Sequence, residues 1–308
     1  MKSKQILSSS LLLTAAIIWG VAFVAQNQLR DTVEPFTVNA VRSFIASAAL
    51  VPVAWFTRRA RGLRYREKSA ADRRLLFKAG LICGTLLCVS VNLQQFGIAL
   101  YPEGAPVEAH SGFLTAMYIL FVPILGLLFK KKPTLFVAVG VALAVAGLYF
   151  LCLSEGIGSV YAGDILCLMC GMSFAVQILS VDRYIGSVDP VKLSSLQFLV
   201  TGVLSAVLMF IFEKPGAGAI LSAWQPLLYL ALMSSAVGYT LQILGQKFAS
   251  GPTLASILMS MESVFALLGG AVIMGVMPKP AELLGCGLML AAIIIAQLPA
   301  ELLKKKAA

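Results

Sequence analysis

The chain has 308 residues, of which 59% are hydrophobic and only 12% charged, with a mean hydropathy of +0.90. A water-soluble domain carries ~25% charged and ~45–50% apolar residues, so a cytosolic enzyme, a DNA-binding protein and a secreted disulfide scaffold are excluded. An anchor bearing a globular head is excluded as well, because no soluble-looking stretch is longer than the segment from Arg58 to Lys78. The composition specifies an all-α polytopic membrane protein: one spanning helix takes roughly 20 apolar residues, so ten of them with short loops take about 300.

In chain order, the apolar segments predict helices over 9–29, 36–57, 76–100, 110–129, 134–153, 162–181, 191–212, 223–246, 253–275 and 281–300. No small-residue cleavage site of the A-x-A kind follows Leu11–Ala25. The first segment is therefore read as a retained helix and not as a signal peptide. With the N-terminus placed inside, the cytoplasmic segments hold Lys2 and Lys4, the basic run from Arg58 to Lys78, Lys130–Lys132, Arg183, Lys192, Lys247 and Lys304–Lys306. Of the 24 lysines and arginines, that leaves Arg30, Lys214 and Lys279 on the opposite face and Arg42 inside a helix. Lys/Arg bias sets orientation, which predicts an even helix number and both termini on the cytoplasmic side of the cell (inner) membrane. The net charge of +10 is then a topology signal. The implied partner is the lipid bilayer, with the 58–78 run against anionic lipid and no nucleic acid. The carboxylates Asp31, Glu34, Glu103, Glu108, Glu155, Asp164, Glu213 and Glu282 fall at or beyond the outer helix ends.

The cysteines Cys83, Cys88, Cys152, Cys167, Cys170 and Cys286 all fall in apolar spans. Cys167-x-x-Cys170 has the spacing of a redox or zinc half-site, but there is no second such pair and the only histidine is His110. Cysteine packs as a small apolar residue, so neither a disulfide, nor a metal, nor any other cofactor is expected.

Internal repetition organises the chain. Gly20-Val21-Ala22-Phe23-Val24-Ala25-Gln26 aligns with Gly171-Met172-Ser173-Phe174-Ala175-Val176-Gln177 at an offset of 151, and Gln95 with Gln246 at the same offset. Pro35 aligns with Pro190, and Pro133 with Gly140 aligns with Pro280 and Gly287, after small drifts that loop lengths explain. Five helices per copy is an odd number, so the second copy enters the membrane from the other side. Residues 1–155 and 156–308 are thus expected to form two inverted five-helix repeats within one integrated membrane domain. Inverted repeats with a site between them are a recurrent design of secondary transporters.

At this point the chain resembles a known family. Ile18-Trp19-Gly20-Val21-Ala22-Phe23 in helix 1, Asn39-Ala40-Val41-Arg42-Ser43-Phe44 in helix 2 and Met261-Glu262-Ser263-Val264-Phe265-Ala266 in helix 9 are similar to the EamA-type transporters of the drug/metabolite transporter superfamily. The resemblance runs over residues 9–301. The chain departs from the family at Ser263, where a proline is usual. It also departs after helices 4 and 9, where Phe129-Lys130-Lys131-Lys132-Pro133 and Gly275-Val276-Met277-Pro278-Lys279 replace a frequent Gly-Glu. The resemblance implies an inner-membrane solute carrier, often an exporter, without a cofactor.

Polar groups at helix depth are the candidate site. Glu262 lies about ten residues into its helix, near mid-bilayer at ~1.5 Å per residue. A charge there is unfavourable by several kcal/mol unless it faces a cavity, is paired or stays protonated. It is the candidate proton-coupling residue, and the alternative is a structural brace between the repeats. The guanidinium of Arg42 cannot deprotonate. It binds an anionic solute group, snorkels to the outer interface or pairs with Asp31 or Glu34. Its repeat mate is Gln197, so the cavity is electrically lopsided. Trp19, Gln26, Asn39, Asn92, Gln95, Thr115, Tyr118, Gln177, Tyr239 and Gln242 complete the candidate substrate-binding set. Amides in hydrocarbon must meet partners, so these face the interior, where they line a cavity or bond helix to helix. Aromatic Phe23 and Phe174 either stack on solute or pack. His110, at the outer start of helix 4, is expected to be solvated.

The expected function is a secondary transporter, exporter or exchanger, that moves a small polar or amphipathic metabolite or drug by alternating access. A second copy of the chain is a candidate partner. The alternatives are a flippase for a lipid-linked intermediate and a membrane-embedded lipid-modifying enzyme. One histidine and no acid pair argue against the enzyme. No Gly-rich loop with a Walker lysine is present, so the chain itself does not drive transport with ATP.

Overall fold

The structure is a computed structural model that describes residues 2–60, 69–102, 107–128, 133–152, 161–274 and 278–298. Glu103, the triple lysine Lys130–Lys132, Glu155, Lys304–Lys306 and most of the 58–78 basic run lie outside the described residues or have undescribed side chains. The described elements are all helical: α1 (Lys2–Leu29), α2 (Pro35–Ala60), α3 (Ala70–Ala99), α4 (Val107–Ala116), α5 (Tyr118–Leu128), α6 (Leu135–Cys152), α7 (Ala162–Tyr184), α8 (Pro190–Phe212), α9 (Ala217–Ser222), α10 (Trp224–Tyr229), a π-helix (Leu230–Gly238), α11 (Tyr239–Phe248), α12 (Pro252–Met259), α13 (Glu262–Met274) and α14 (Pro280–Ala296).

Seven helical segments are long and apolar enough to cross a membrane, and Leu135–Phe150, Pro252–Leu268 and Pro280–Ala296 are shorter apolar helices. The side-chain distribution is inverted relative to a soluble protein. Asn39, Gln177 and Gln197 are fully buried, whereas Phe210, Leu128 and Ile294 are more than 60% exposed. Lipid solvates the apolar exterior, and the amides find partners only inside. The chain is a multi-pass helical membrane protein.

The helix starts follow local chemistry. Pro190 occupies the first turn of α8, where its missing N–H is not needed. Asp189 before it accepts from the amides of Val191 and Lys192, both at 3.0 Å. Ser69 and Asp72 close a reciprocal capping box at the start of α3. At the start of α2 the cap comes from another helix end: the Glu213 carboxylate accepts from the amides of Phe36 and Thr37, each at 2.7 Å, and from the Thr37 hydroxyl at 2.8 Å. An anion at a helix N-terminus is favoured by both the free N–H groups and the dipole.

These contacts also fix direction. Glu213 meets residues 36 and 37 while Ser47 donates to the Ser195 carbonyl at 2.9 Å, so α2 and α8 run antiparallel. α6 and α14 do the same through small residues. A Cβ added at Gly140 would lie 2.8 Å from the Ala296 Cβ, and one at Gly147 would lie 2.9 Å from the Gly285 carbonyl oxygen. Such close approach is how transmembrane helices gain packing where lipid gives no hydrophobic drive.

The structure alters the expected elements in several places. α1 begins at Lys2, seven residues before the predicted start, because the polar Ser3–Gln5 stretch simply continues the helix. The predicted helices at 110–129 and 253–275 are each interrupted, at Met117 and at Ser260–Met261. The predicted helix at 223–246 is assembled from α10, nine residues of π-helix and α11.

Candidate functional site

The two interruptions bring the deepest acid and a tyrosine together. At Met117 the chain tightens into a turn with three-residue spacing, Met117 N to Leu114 O and Leu120 N to Met117 O, and Ser263 N bonds Ser260 O in the same way. Tyr118 is thereby the first residue of α5 and Glu262 the first of α13. The Tyr118 hydroxyl donates to Glu262 Oε1 at 3.0 Å. Each carries the positive end of a half-helix toward the centre, as in carriers built from discontinuous helices.

Both side chains line a central cavity of about 40 Å³ that α1, α2, α3, α4, α7, the π-helix, α11 and α12 complete. That volume holds a few water molecules and is far below the 300 Å³ or more usual for a small-molecule site. From α1 come Trp19 and Gln26, and from α2 comes Arg42. The Trp19 Nε1–H donates to the Ser234 carbonyl at 3.1 Å, and its ring lies 4.9 Å from that of Tyr239. The π-helix makes this possible. Its Gly238 leaves the indole room, since a Cβ there would fall 2.7 Å from Trp19 Nε1. π-helical turns recur at functional sites for this reason, because they redirect backbone groups.

An amide chain runs along one wall. Gln26 Nε2 donates to Gln94 Oε1 at 3.0 Å and Gln95 Oε1 at 3.2 Å, and Gln94 Nε2 reaches Thr115 Oγ1 at 3.3 Å. On the other side Gln242 Nε2 donates to Gln177 Oε1 at 3.2 Å. Of the candidate set, Trp19, Gln26, Arg42, Thr115, Tyr118, Tyr239, Gln242 and Glu262 meet at the cavity. Asn39, Asn92, Gln95 and Gln177 stand behind it. Asn39 Nδ2 donates to Asn92 Oδ1 at 2.9 Å and Asn92 Nδ2 to Ser205 Oγ at 3.0 Å, which ties α2, α3 and α8 together. Gln177 is held between Gln197 and Gln242.

Gln94, Ser234 and Met259 line the cavity without having been singled out in the sequence, and Phe23 and Phe174 also reach it. For Gln94 the sequence offers a weak signal: it neighbours Gln95, and an amide at helix depth must find a partner. Ser234 is placed by the π-helix, which hydropathy does not reveal.

Arg42 is 3% exposed, its Nε has no hydrogen-bond partner, and it makes no ion pair among the described residues. The suggested partners are committed elsewhere. Asp31 pairs with Arg30 at 3.2 Å, and Glu34 accepts from the Lys214 amide at 3.1 Å.

The surroundings of Asp164 correct one expectation. His110 is not solvated; it is 6% exposed, and its Nδ1 lies 3.1 Å from Asp164 Oδ1. Tyr101 donates its hydroxyl to the same oxygen at 2.6 Å, and the Tyr161 amide donates to the other at 2.9 Å. A carboxylate that starts α7 thus gathers α3, α4 and α7, because a buried polar group must be bonded. Asn27 adds α1 by donating to Glu108 at 2.7 Å. Among the described residues no group of three or more metal-ligating side chains occurs.

The chain is similar to several known proteins. Across 288 residues the chain is 27% identical to an uncharacterized transporter of Archaeoglobus fulgidus, covering 92% of this chain and 83% of that protein. A solved crystal structure shares the fold with a TM-score of 0.74 at 19% identity, covering 96% of this chain and 98% of the other. The EamA-like transporter family is matched twice, by residues 7–153 and again by 161–297. A chain of apolar helices that closes an amide-lined cavity around a deep acid and a deep arginine, and that carries this family's pattern over nearly its whole length, belongs to the EamA-like transporter family.

Proposed function

We propose that this membrane transporter is a secondary carrier that moves a small polar or amphipathic solute across the inner membrane by alternating access, as an exporter or exchanger. In this reading the seven long and three shorter apolar helices make ten spans, both termini are cytoplasmic, and residues 1–155 and 156–308 are inverted repeats that rock about the central cavity. Glu262 carries the coupling proton.

The observation that carries the reading is the cavity itself, lined from both halves by Gln26, Arg42, Gln242 and Glu262. Paired close contacts support the symmetry. A Cβ at Gly20 would strike Phe265 and Ala266, and one at Gly171 would strike Leu114 and Thr115. An offset of 151 turns each set into the other.

The test is a comparison of medium and cell metabolites with and without overexpression, followed by flux of any enriched solute into liposomes that hold the purified protein. The expected result is a solute class enriched on one side and moved only by protein-containing liposomes. No change in any solute, together with no flux, would overturn the carrier reading.

A further inference from the structure

Arg42 poses a problem that the rest of the fold does not solve. Its guanidinium is always charged, is 3% exposed and faces the central cavity with its Nε unpartnered. A buried charge without a partner is strongly unfavourable, and natural proteins retain such groups mainly where function uses them. The carboxylates that could neutralise it are engaged. Asp31 holds Arg30, Glu34 and Glu213 hold backbone amides, and Glu262 accepts from Tyr118 without an ion pair to Arg42. The repeat mate of Arg42 is the neutral Gln197, whose Nε2 also lacks a partner, so the second half supplies no counter-charge.

The cavity around this cation is apolar and aromatic on one wall, where Trp19, Tyr239 and Phe174 stand, and amide-lined on another, where Gln26 and Gln94 stand, while its one carboxyl, Glu262, is bonded to Tyr118. A neutral or cationic solute would leave the guanidinium uncompensated. A planar oxyanion would take its forked donors two at a time, and an apolar body would lie against the rings.

We propose that the transported solute is an organic anion whose compact oxyanion, a carboxylate or a phosphate-type group, docks on Arg42 while its apolar body packs against Trp19 and Tyr239. This rests on the carrier reading above and adds the charge class of the solute. Arg42 is then an empty half of an ion pair that the solute completes.

The test uses the purified full chain in detergent with matched probes: 3-phenylpropionate, its amide and 3-phenylpropylamine, then hexanoate against hexanamide, and phenyl phosphate. Binding is read by calorimetry and thermal unfolding. Charge-assisted bonds predict that in at least one acid–amide pair the acid binds about 10- to 100-fold more tightly, and that the amine does not compete. Arg42→Met is expected to erase the acid preference and to raise the melting temperature without ligand, because it removes an unpaired buried charge. Arg42→Lys keeps the charge but loses the fork, so it retains part of the preference.

Acid and amide binding alike across the panel would overturn the proposal, as would an acid preference that survives in Arg42→Met. So would a melting temperature lowered by that substitution, which marks a structural brace. Flux separates the two readings. An acid bound at Arg42 but never moved across liposomes overturns the carrier reading and leaves only the anion site at Arg42 standing. Flux of amides or amines without acids does the reverse.

Discussion

Replacing Glu262 with Gln is expected to abolish solute accumulation driven by an imposed pH difference, while leaving downhill exchange measurably intact. With one proton per solute, a gradient of one pH unit supports about a tenfold accumulation ratio; the variant should fall to unity. The reasoning follows from the geometry. Glu262 is 5% exposed, opens α13 and accepts a hydrogen bond from Tyr118 at 3.0 Å. Coupling requires that this carboxyl gain a proton on one side of the membrane and lose it on the other. Gln imitates the protonated form and its oxygen still accepts from Tyr118, so the fold is retained while the proton cycle stops. Ratios measured in liposomes over a range of imposed gradients check this. A Gln variant that still concentrates solute against its gradient would make Glu262 a structural brace.

The second large effect concerns close helix contact. A Cβ at Gly20 would lie 2.7 Å from the backbone nitrogen of Ala266, and one at Gly171 would lie 2.7 Å from the Leu114 carbonyl oxygen. The obstructing atoms are backbone, so no rotamer change relieves the clash and the helices must separate. Gly20→Ala and Gly171→Ala are each expected to destabilise by roughly 1–3 kcal/mol, read as earlier thermal unfolding in detergent. Gly20→Leu and Gly171→Leu are expected to abolish transport. Gly287→Ala is the control, since nothing lies within 4 Å of a Cβ there, and its stability should change by less than about 0.5 kcal/mol. Equal stability of Gly20→Ala and Gly287→Ala would mean that α1 and α13 do not pack this closely. The Gly20 contact lies next to Glu262 along α13, so the same substitution disturbs the acid that the first prediction addresses.

The helices were readable because a bilayer imposes length and hydropathy together. Predicted and observed bounds agree within a few residues for 36–57, 134–153 and 191–212, against α2, α6 and α8. The breaks at Met117 and Ser260–Met261 were not readable. Both lie in apolar, helix-compatible sequence, and tertiary packing decides where the ladder is interrupted. The nine-residue π-helix is hidden for the same reason, since its composition is that of an ordinary spanning helix.

Within the site, Arg42 and Glu262 stood out because charges at depth are rare. The amides were harder. Polarity marks Asn39, Gln94 and Gln177 alike as interior, but only three-dimensional neighbours separate Gln94 at the cavity from Asn39, which is bonded to Asn92, and Gln177, which is bonded to Gln242. His110 was misread because its partner Asp164 is 54 residues away in sequence, and a lone histidine at a helix end gives no hint of a buried carboxylate.

Alternating access requires that the cavity open in turn to each side of the membrane. It is tested most directly with Thr115, which lines that cavity and is 2% exposed, changed to Cys in a chain whose six native cysteines have been replaced. Oriented vesicles of both polarities are then treated with a membrane-impermeant thiol reagent. The cysteine is expected to be labelled from either face, at rates that move in opposite directions when the pH gradient is reversed. Labelling confined to one face under every gradient, or none from either, would contradict it.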